Sequence, residues 1–305
     1  MEGRSERGLS NAGGSRQPCE EMMFGEKHGV VTTDLTPLIG TAVKAEVETL
    51  LSGEFARDLR ILLEQRGVLV FREINFTDEQ QIAFTRTLGI QALEYNGRAV
   101  GGAQQDIFKV SLDPHENPIA QALRSTFFWH LDGSMSEVPI LASILCAKRL
   151  APSGGQTEFC STYAAYEALP ESEKMEIEGL QVVHANWWRA NYLNPEPSYE
   201  EFKKVKAGPS RSQPLVWTHR SGRKSLVIGG TAAYVVGMEP LESMELLVRL
   251  RDWATRPQFV HRHEWTLGDM VIWDNTGTLH RALPYPADCG RLLHRTMLQG
   301  EEPFA

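Results

Sequence analysis

Hydrophobic positions along the chain change rhythm near residue 106. Before it, two stretches carry apolar residues at helical spacing: Phe55 to Gln65, ended by Gly67, and Asp78 to Leu88, capped by Thr77 and stopped by Gly89. Between them GVLVFR is a continuous apolar run and predicts a buried strand. After it come short β-like runs, DIFKVSL, PILASILCAK, LQVVHA, PLVWTH, SLVIGG, QFVHRHEW, DMVIWDN and LLHRTMLQG, separated by Gly, Pro or polar turns. Many short strands with few helices predict a closed sandwich or barrel, most commonly a jelly roll. The expected fold class is therefore mainly β with flanking helices, a double-stranded β-helix. Thr162 to Leu169 and Leu241 to Ala254 are expected as helices packed on its outside, and the sequence shows no internal repeat. The opening MEGRSERGLSNAGGSRQPCEEMM lacks periodicity and is rich in Gly, Ser and charge. Residues 1–24 are expected to form a disordered tail, with Met22 or Met23 as an alternative start, and 25–305 a single domain.

Composition narrows the class of partner. The 305 residues are 42% hydrophobic and 23% charged, enough for a sizeable core. A formal net charge of −8 argues against nucleic-acid binding, which needs a basic surface to displace counterions, so small molecules are the expected partners. Cys19, Cys146, Cys160 and Cys289 show no C-x-x-C spacing and suit reduced thiols. No apolar run reaches the length of a membrane span and no signal-peptide core is present, so a cytoplasmic protein without membrane attachment is expected. Whether copies associate into a homo-oligomer is left open by the sequence.

Candidate chemistry begins at WHLDGS, where His130 and Asp132 are two apart. A jelly roll that binds a redox metal usually does so with two His and one carboxylate on one face of the ion, leaving the opposite positions open. The second His must come from far along the chain, and His280 in WDNTGTLHRALPY follows the apolar run Met270 to Trp273 closely enough to sit at a strand end. Arg291 and Arg295, four apart in GRLLHRTML, share a face in a strand, roughly 13 Å apart at about 3.3 Å per residue, together with Leu293 and Met297. Two inward arginines each need an anion, which predicts two separate carboxylate-type ligands.

From Val30 to Pro303 the chain resembles the taurine dioxygenase and 2,4-dichlorophenoxyacetate dioxygenase family of iron(II)- and 2-oxoglutarate-dependent oxygenases. The resemblance is carried by GVLVFR with TDEQQIAFTRTLG, then WHLDGS, LAPSGGQTEF, YAAYEALP, VIWDN, LHRA and HRTMLQGEEP. A Thr stands 27 residues after the first His, and Arg residues stand 11 and 15 after the second. The resemblance implies that His130, Asp132 and His280 hold Fe(II), that Arg291 with Thr157 grips the distal carboxylate of 2-oxoglutarate, and that Arg295 faces the anionic group of the primary substrate. It also implies O2 as the oxidant, release of succinate and CO2, and hydroxylation of a C–H bond. The carboxylate at Asp132 argues against halogenation, for which related enzymes carry a small residue there.

Rival readings concern five places. HRHE at residues 261–264 could set His261 and His263 on one face as a metal cluster, but no third ligand accompanies them and a solvent-facing polar strand explains them. His184, His219 and His294 read as structural, and Trp273 and Asn275 as supports of His280. Residues 186–202, NWWRANYLNPEPSYEEF, read either as a surface loop anchored by its aromatics or as a lid over the substrate, and the resemblance supports the lid. After the second helix IQALEYNGRAVGG offers no His for a sulfonate, which disfavours taurine and favours a larger carboxylate-bearing, hydrophobic or aromatic substrate. Leu93, Tyr95 and Asn96 are the candidates to shape its pocket. The alternatives to an oxygenase are a metal-binding barrel without turnover and a zinc hydrolase using the same triad; the paired arginines favour the oxygenase.

Overall fold

The computed structural model describes residues 29–95 and 104–305. The expected tail at 1–24 lies outside the described residues, as does Asn96. GVLVFR supplies the strand Val68–Phe71, in which every residue is buried. It is buried on both faces because it lies inside the largest sheet, between Thr41–Lys44, to which it runs parallel, and Met270–Asp274, to which it runs antiparallel. The sheet continues through Ala142–Arg149 and Leu292–Leu298, which also pairs with Gln91–Ala92 and Phe108–Val110. A three-stranded sheet of Val260–His263, Thr157–Ser161 and Thr278–Ala282 contributes Phe159 to the same interior as Val68, Val70, Leu145, Val271, Trp273 and Leu293. Strands buried on both sides read as unbroken apolar runs, so the sequence shows them as blocks and not as alternation.

Helices close the two outer faces. Ala56–Arg66 and Asp78–Leu88 lay Leu59, Leu62, Leu63, Phe84 and Leu88 on the outside of the large sheet, against Leu69, Ile144 and Ile272. Thr77 and Gln80 form a reciprocal capping box at the start of the second helix, and Gly67 ends the first at φ 70°, its N–H donating to Leu63 O. Thr162–Glu167 and Pro240–Ala254 cover the small sheet through Ala165, Leu246, Leu250 and Ala254 against Cys160 and Leu279. The molecule is mainly β with flanking helices, as the hydrophobic pattern predicts.

Residues 186–202 depart from the loop expectation. They fold as Asn186–Asn191 and the start of Tyr199–Lys206, the latter opened by a Ser198–Glu201 capping box. Tyr199 is 74% exposed, so the rings do not all act as anchors; Tyr192 does, stacked on Phe128 at 4.6 Å. The solvent-facing reading of His261 and His263 also fails. Both are buried, and His263 Nε2 lies 3.1 Å from Asp269 Oδ2 with both side chains fully enclosed. An edge strand can hide alternate residues under a neighbouring segment, here Gly40, whose missing side chain leaves room for the His261 ring.

Candidate active site

His130 and His280 are brought together by the backbone itself. Their main chains exchange N–H···O bonds of 3.0 and 2.9 Å in an antiparallel bridge, so the two rings stand side by side with centroids 4.1 Å apart. Asp132, two residues on from His130, joins them. His130 Nε2 is 3.9 Å from Asp132 Oδ1, His280 Nε2 is 3.8 Å from Oδ2, and one donor atom of each residue lies within 4.8 Å of the others. His130 Nδ1 lies 2.9 Å from Phe128 O, a bond that requires its proton and leaves the Nε2 lone pair directed at the cluster. Trp273 packs against the His280 ring at 4.7 Å, in the supporting role expected of it.

Electrostatics set the protonation states. Burial pulls the His130 imidazole below its ordinary value, and burial with the neighbouring His130 pulls His280 well below. Burial alone would raise Asp132, but interaction with His280, Arg295, His130 and Arg189, the imidazoles counting only at acid pH where they are protonated, overrides it and holds the carboxyl at about 2. Two neutral imidazoles and one carboxylate are the donor set of a divalent redox metal. Such a group fits here, and among the described residues no other cluster of three His, Cys, Asp or Glu meets the same spacing.

Arg291 sits just before the Leu292–Leu298 strand and is 3% exposed. Its Nη2 donates to Gly155 O at 2.9 Å and its guanidinium lies 4.5 Å from the Tyr285 ring centre. Gly155 is at φ 76°, and a Cβ there would fall 2.9 Å from Arg291 Nε, so a side chain would push the arginine away. Among the described residues no carboxylate pairs with this buried cation. Thr157, 4% exposed, accepts a hydrogen bond from Trp265 Nε1 at 3.0 Å. Indole N–H only donates, so the threonine keeps its own proton to donate elsewhere.

Arg295 is on the interior side of its strand with Leu293, while His294 and Thr296 face the helix Asp78–Leu88 and bond to Asp78 and Thr85. Its Nη1 is 3.4 Å from Asp132 Oδ2, which places it beside the donor cluster. Tyr95 belongs to the short strand Glu94–Tyr95, and Leu93 is 40% exposed. Three further residues escaped the sequence reading. Ser143 Oγ lies 3.4 Å from Asp132 Oδ2 and takes the Nδ2 donor of Asn275, so Asn275 supports the carboxylate and not His280. Ser143 is a lone hydroxyl in an apolar strand, a signal that could have found it. Trp265 is the second. Arg189, in the helix Asn186–Asn191, brings positive charge to His130 and Asp132 without any periodicity that would announce it. Two cavities of about 520 and 570 Å3 include none of the three donors among their lining residues; the first is lined by Trp129 and Arg281, next in the chain to His130 and His280, with Phe128, Trp188 and Tyr192, and the second by Tyr163 and Asp274.

The sequence profile of the family described as "Taurine catabolism dioxygenase TauD, TfdA family" matches residues 32–297. The chain belongs to the TauD/TfdA family. It is 36% identical over 278 residues to the alpha-ketoglutarate-dependent 2,4-dichlorophenoxyacetate dioxygenase of Cupriavidus pinatubonensis, covering 87% of this chain and 96% of that one. It is 32% identical over 249 residues to the (S)-phenoxypropionate/alpha-ketoglutarate-dioxygenase of Sphingobium herbicidovorans, covering 80% and 86%. The crystal structure of AAD-2 in complex with Mn(II) and N-oxalylglycine superposes with a TM-score of 0.76 at 31% identity, over 90% of this chain and 99% of that one. This TauD/TfdA protein is an Fe(II)- and 2-oxoglutarate-dependent dioxygenase with Fe(II), 2-oxoglutarate and O2 as cofactor and cosubstrates. Membership sets aside the zinc hydrolase and the barrel without turnover. No helix among the described residues is long and apolar enough to cross a membrane.

Proposed function

We propose that the protein hydroxylates a C–H bond of a small carboxylate-bearing substrate with a hydrophobic or aromatic body, in a single domain built as a double-stranded β-helix. His130, Asp132 and His280 would hold the iron, Arg291 and Thr157 the distal carboxylate of 2-oxoglutarate, and Arg295 the substrate anion. When bound, the iron with 2-oxoglutarate and O2 supplies the oxidant, with succinate and CO2 released and one oxygen atom entering the substrate.

The observation that carries this reading is Arg291, a buried guanidinium with no carboxylate of the described chain to neutralise it. Burying such a charge is costly unless an anion meets it, so the site is completed by an anionic ligand. Tyr285 and Gly155 O fix the orientation of the cation, and Trp265 turns the Thr157 hydroxyl proton away from itself. Arg295 and Arg189 add positive charge near Asp132 from two different elements, which suits an anionic substrate better than a neutral one. The aryloxy acids named for the relatives support the aromatic carboxylate class.

Succinate formation by the Fe(II)-loaded enzyme is to be compared across phenoxyacetates, phenoxypropionates, other aryl carboxylates, alkyl sulfonates and sulfate esters. At least one aryl or aryloxy carboxylate should stimulate turnover well above the substrate-free rate. Stimulation by sulfonates or sulfate esters alone would overturn the substrate class while leaving the enzyme class standing.

A further inference from the structure

We propose that Ser143 is a positioning residue for Asp132, fixing one carboxylate oxygen by a hydrogen bond so that the other is presented to the metal. The inference rests on reading His130, Asp132 and His280 as the metal site.

Ser143 is fully buried in the strand Ala142–Arg149, a single hydroxyl among Ala, Ile, Leu and Cys. Such a group is retained only where its hydrogen bonds are made. Its Oγ is 2.9 Å from Asn275 Nδ2 and 3.4 Å from Asp132 Oδ2. An amide nitrogen only donates, so the serine oxygen accepts from Asn275 and its one proton is left for Asp132. Asn275 is itself fully buried and fixed by its own N–H, which donates to Leu141 O at 2.9 Å. The order Asn275 to Ser143 to Asp132 therefore has a direction.

The two oxygens of Asp132 are thereby made unequal. Oδ2 accepts from Ser143 and from Arg295, each at 3.4 Å, and lies 3.8 Å from His280 Nε2, while Oδ1 faces His130 Nε2 at 3.9 Å and accepts from no described side chain. The less engaged oxygen, Oδ1, is the one free to ligate. Arg295 alone would be a poor guardian of that arrangement, because the same guanidinium is assigned to the substrate anion. A neutral hydroxyl, locked from behind by Asn275, holds the carboxylate whether or not Arg295 is drawn toward substrate.

The test compares Ser143→Ala, the near-isosteric pair Ser143→Thr and Ser143→Val, and Asp132→Ala in the full chain. Mn(II) binding is read from the signal of free Mn(II) by electron paramagnetic resonance, without turnover, and thermal unfolding of the metal-free protein reports folding separately. Ser143→Ala and Ser143→Val should bind Mn(II) about 10- to 100-fold more weakly, the usual effect of losing a partner that orients a ligand, and Ser143→Thr should restore most of the affinity. Thr and Val variants of equal affinity, or Ser143→Ala within twofold of wild type while Asp132→Ala loses the metal, would overturn the proposal. Wild-type affinity in Asp132→Ala would instead overturn the metal site on which it rests.

Discussion

Arg291 and Arg295 carry the same guanidinium into different surroundings, and those surroundings predict different phenotypes. Arg291 is enclosed by Tyr285 and the Gly154–Gly155 turn, beside Thr157's strand, with no described carboxylate to meet it. Its Gln variant would leave a bound 2-oxoglutarate carboxylate without its charge-assisted partner, a loss on the order of 2–5 kcal/mol. The concentration of 2-oxoglutarate needed for half-maximal rate should rise steeply while Mn(II) affinity stays near wild type. Arg295 touches Asp132 Oδ2, so Arg295→Gln should leave the 2-oxoglutarate requirement nearly unchanged. It should raise the substrate KM and increase the succinate formed per molecule of substrate hydroxylated. Lysine should rescue either position poorly, lacking the planar two-pronged contact. Equal loss of 2-oxoglutarate affinity in both Gln variants, with substrate selectivity unaltered, would show that the division between them is wrong.

At the scale of elements the segment from Asn186 to Lys206 stands out as two short helices. Arg189 Nη2 donates to Asn186 Oδ1 within its own helix, and Tyr192 stacks on Phe128. Helices of this length have little stability of their own and depend on what they pack against. A substrate anion near Arg295 would also attract Arg189, tying the first helix down. Amide exchange in Asn186–Asn191 should therefore slow when an active substrate is added to the Mn(II) and 2-oxoglutarate complex, and by much less in Arg189→Gln; unchanged exchange would leave the segment as a mere surface connection. Its helical form was hidden in the sequence because Pro195, Pro197 and three Asn residues dominate the stretch, while the caps that form it are local hydrogen bonds. By contrast, Thr77 to Gly89 was legible nearly to the residue, because cap, apolar face and glycine stop agree. The grouping of His130, Asp132 and His280 was legible by motif and order, since a strand bridge then brings His280 to His130. What stayed hidden were residues that act by contact across the fold: Ser143 and Trp265 lie 11 and 108 positions from the groups they bond, and no periodicity reports such pairs. His261 and His263 were misread because alternation tells that two side chains share a face, not which face is covered.

For the whole molecule, buried imidazoles predict an acid limit that does not depend on catalysis. Burial lowers His184 to about 4, and burial with nearby Arg223, or with His263 and Arg72, does the same for His219 and His261. These groups stay neutral in the folded protein, whereas in the unfolded chain they take up protons near the ordinary value of 6.5. Their contribution is full above pH 6.5 and is lost as pH falls toward 4, with each such shift on the order of 3 kcal/mol. Asp274 works in the opposite sense. Burial raises its carboxyl to about 6, above the ordinary 3.8, so its ionised form is a cost at neutral pH that disappears as the group protonates on acidification. Asp132, held near 2, matters only below 3.8 and leaves the window between clear. Burial lowers His130, His263 and His280 in the same direction, so the imidazoles outweigh the one raised carboxyl and the net effect is a loss of stability on acidification. Denaturant unfolding of the metal-free protein at pH 7, 5.5 and 4.5 should thus show stability falling steadily, with protons taken up on unfolding. Asp274→Asn, which keeps an oxygen for the Thr276 N–H and hydroxyl, should be more stable than wild type at pH 7 and lose that advantage by pH 4.5. Stability that stays level across this range, or an Asp274→Asn advantage that grows as pH falls, would contradict the sign of these shifts and with it the account of how these groups are buried.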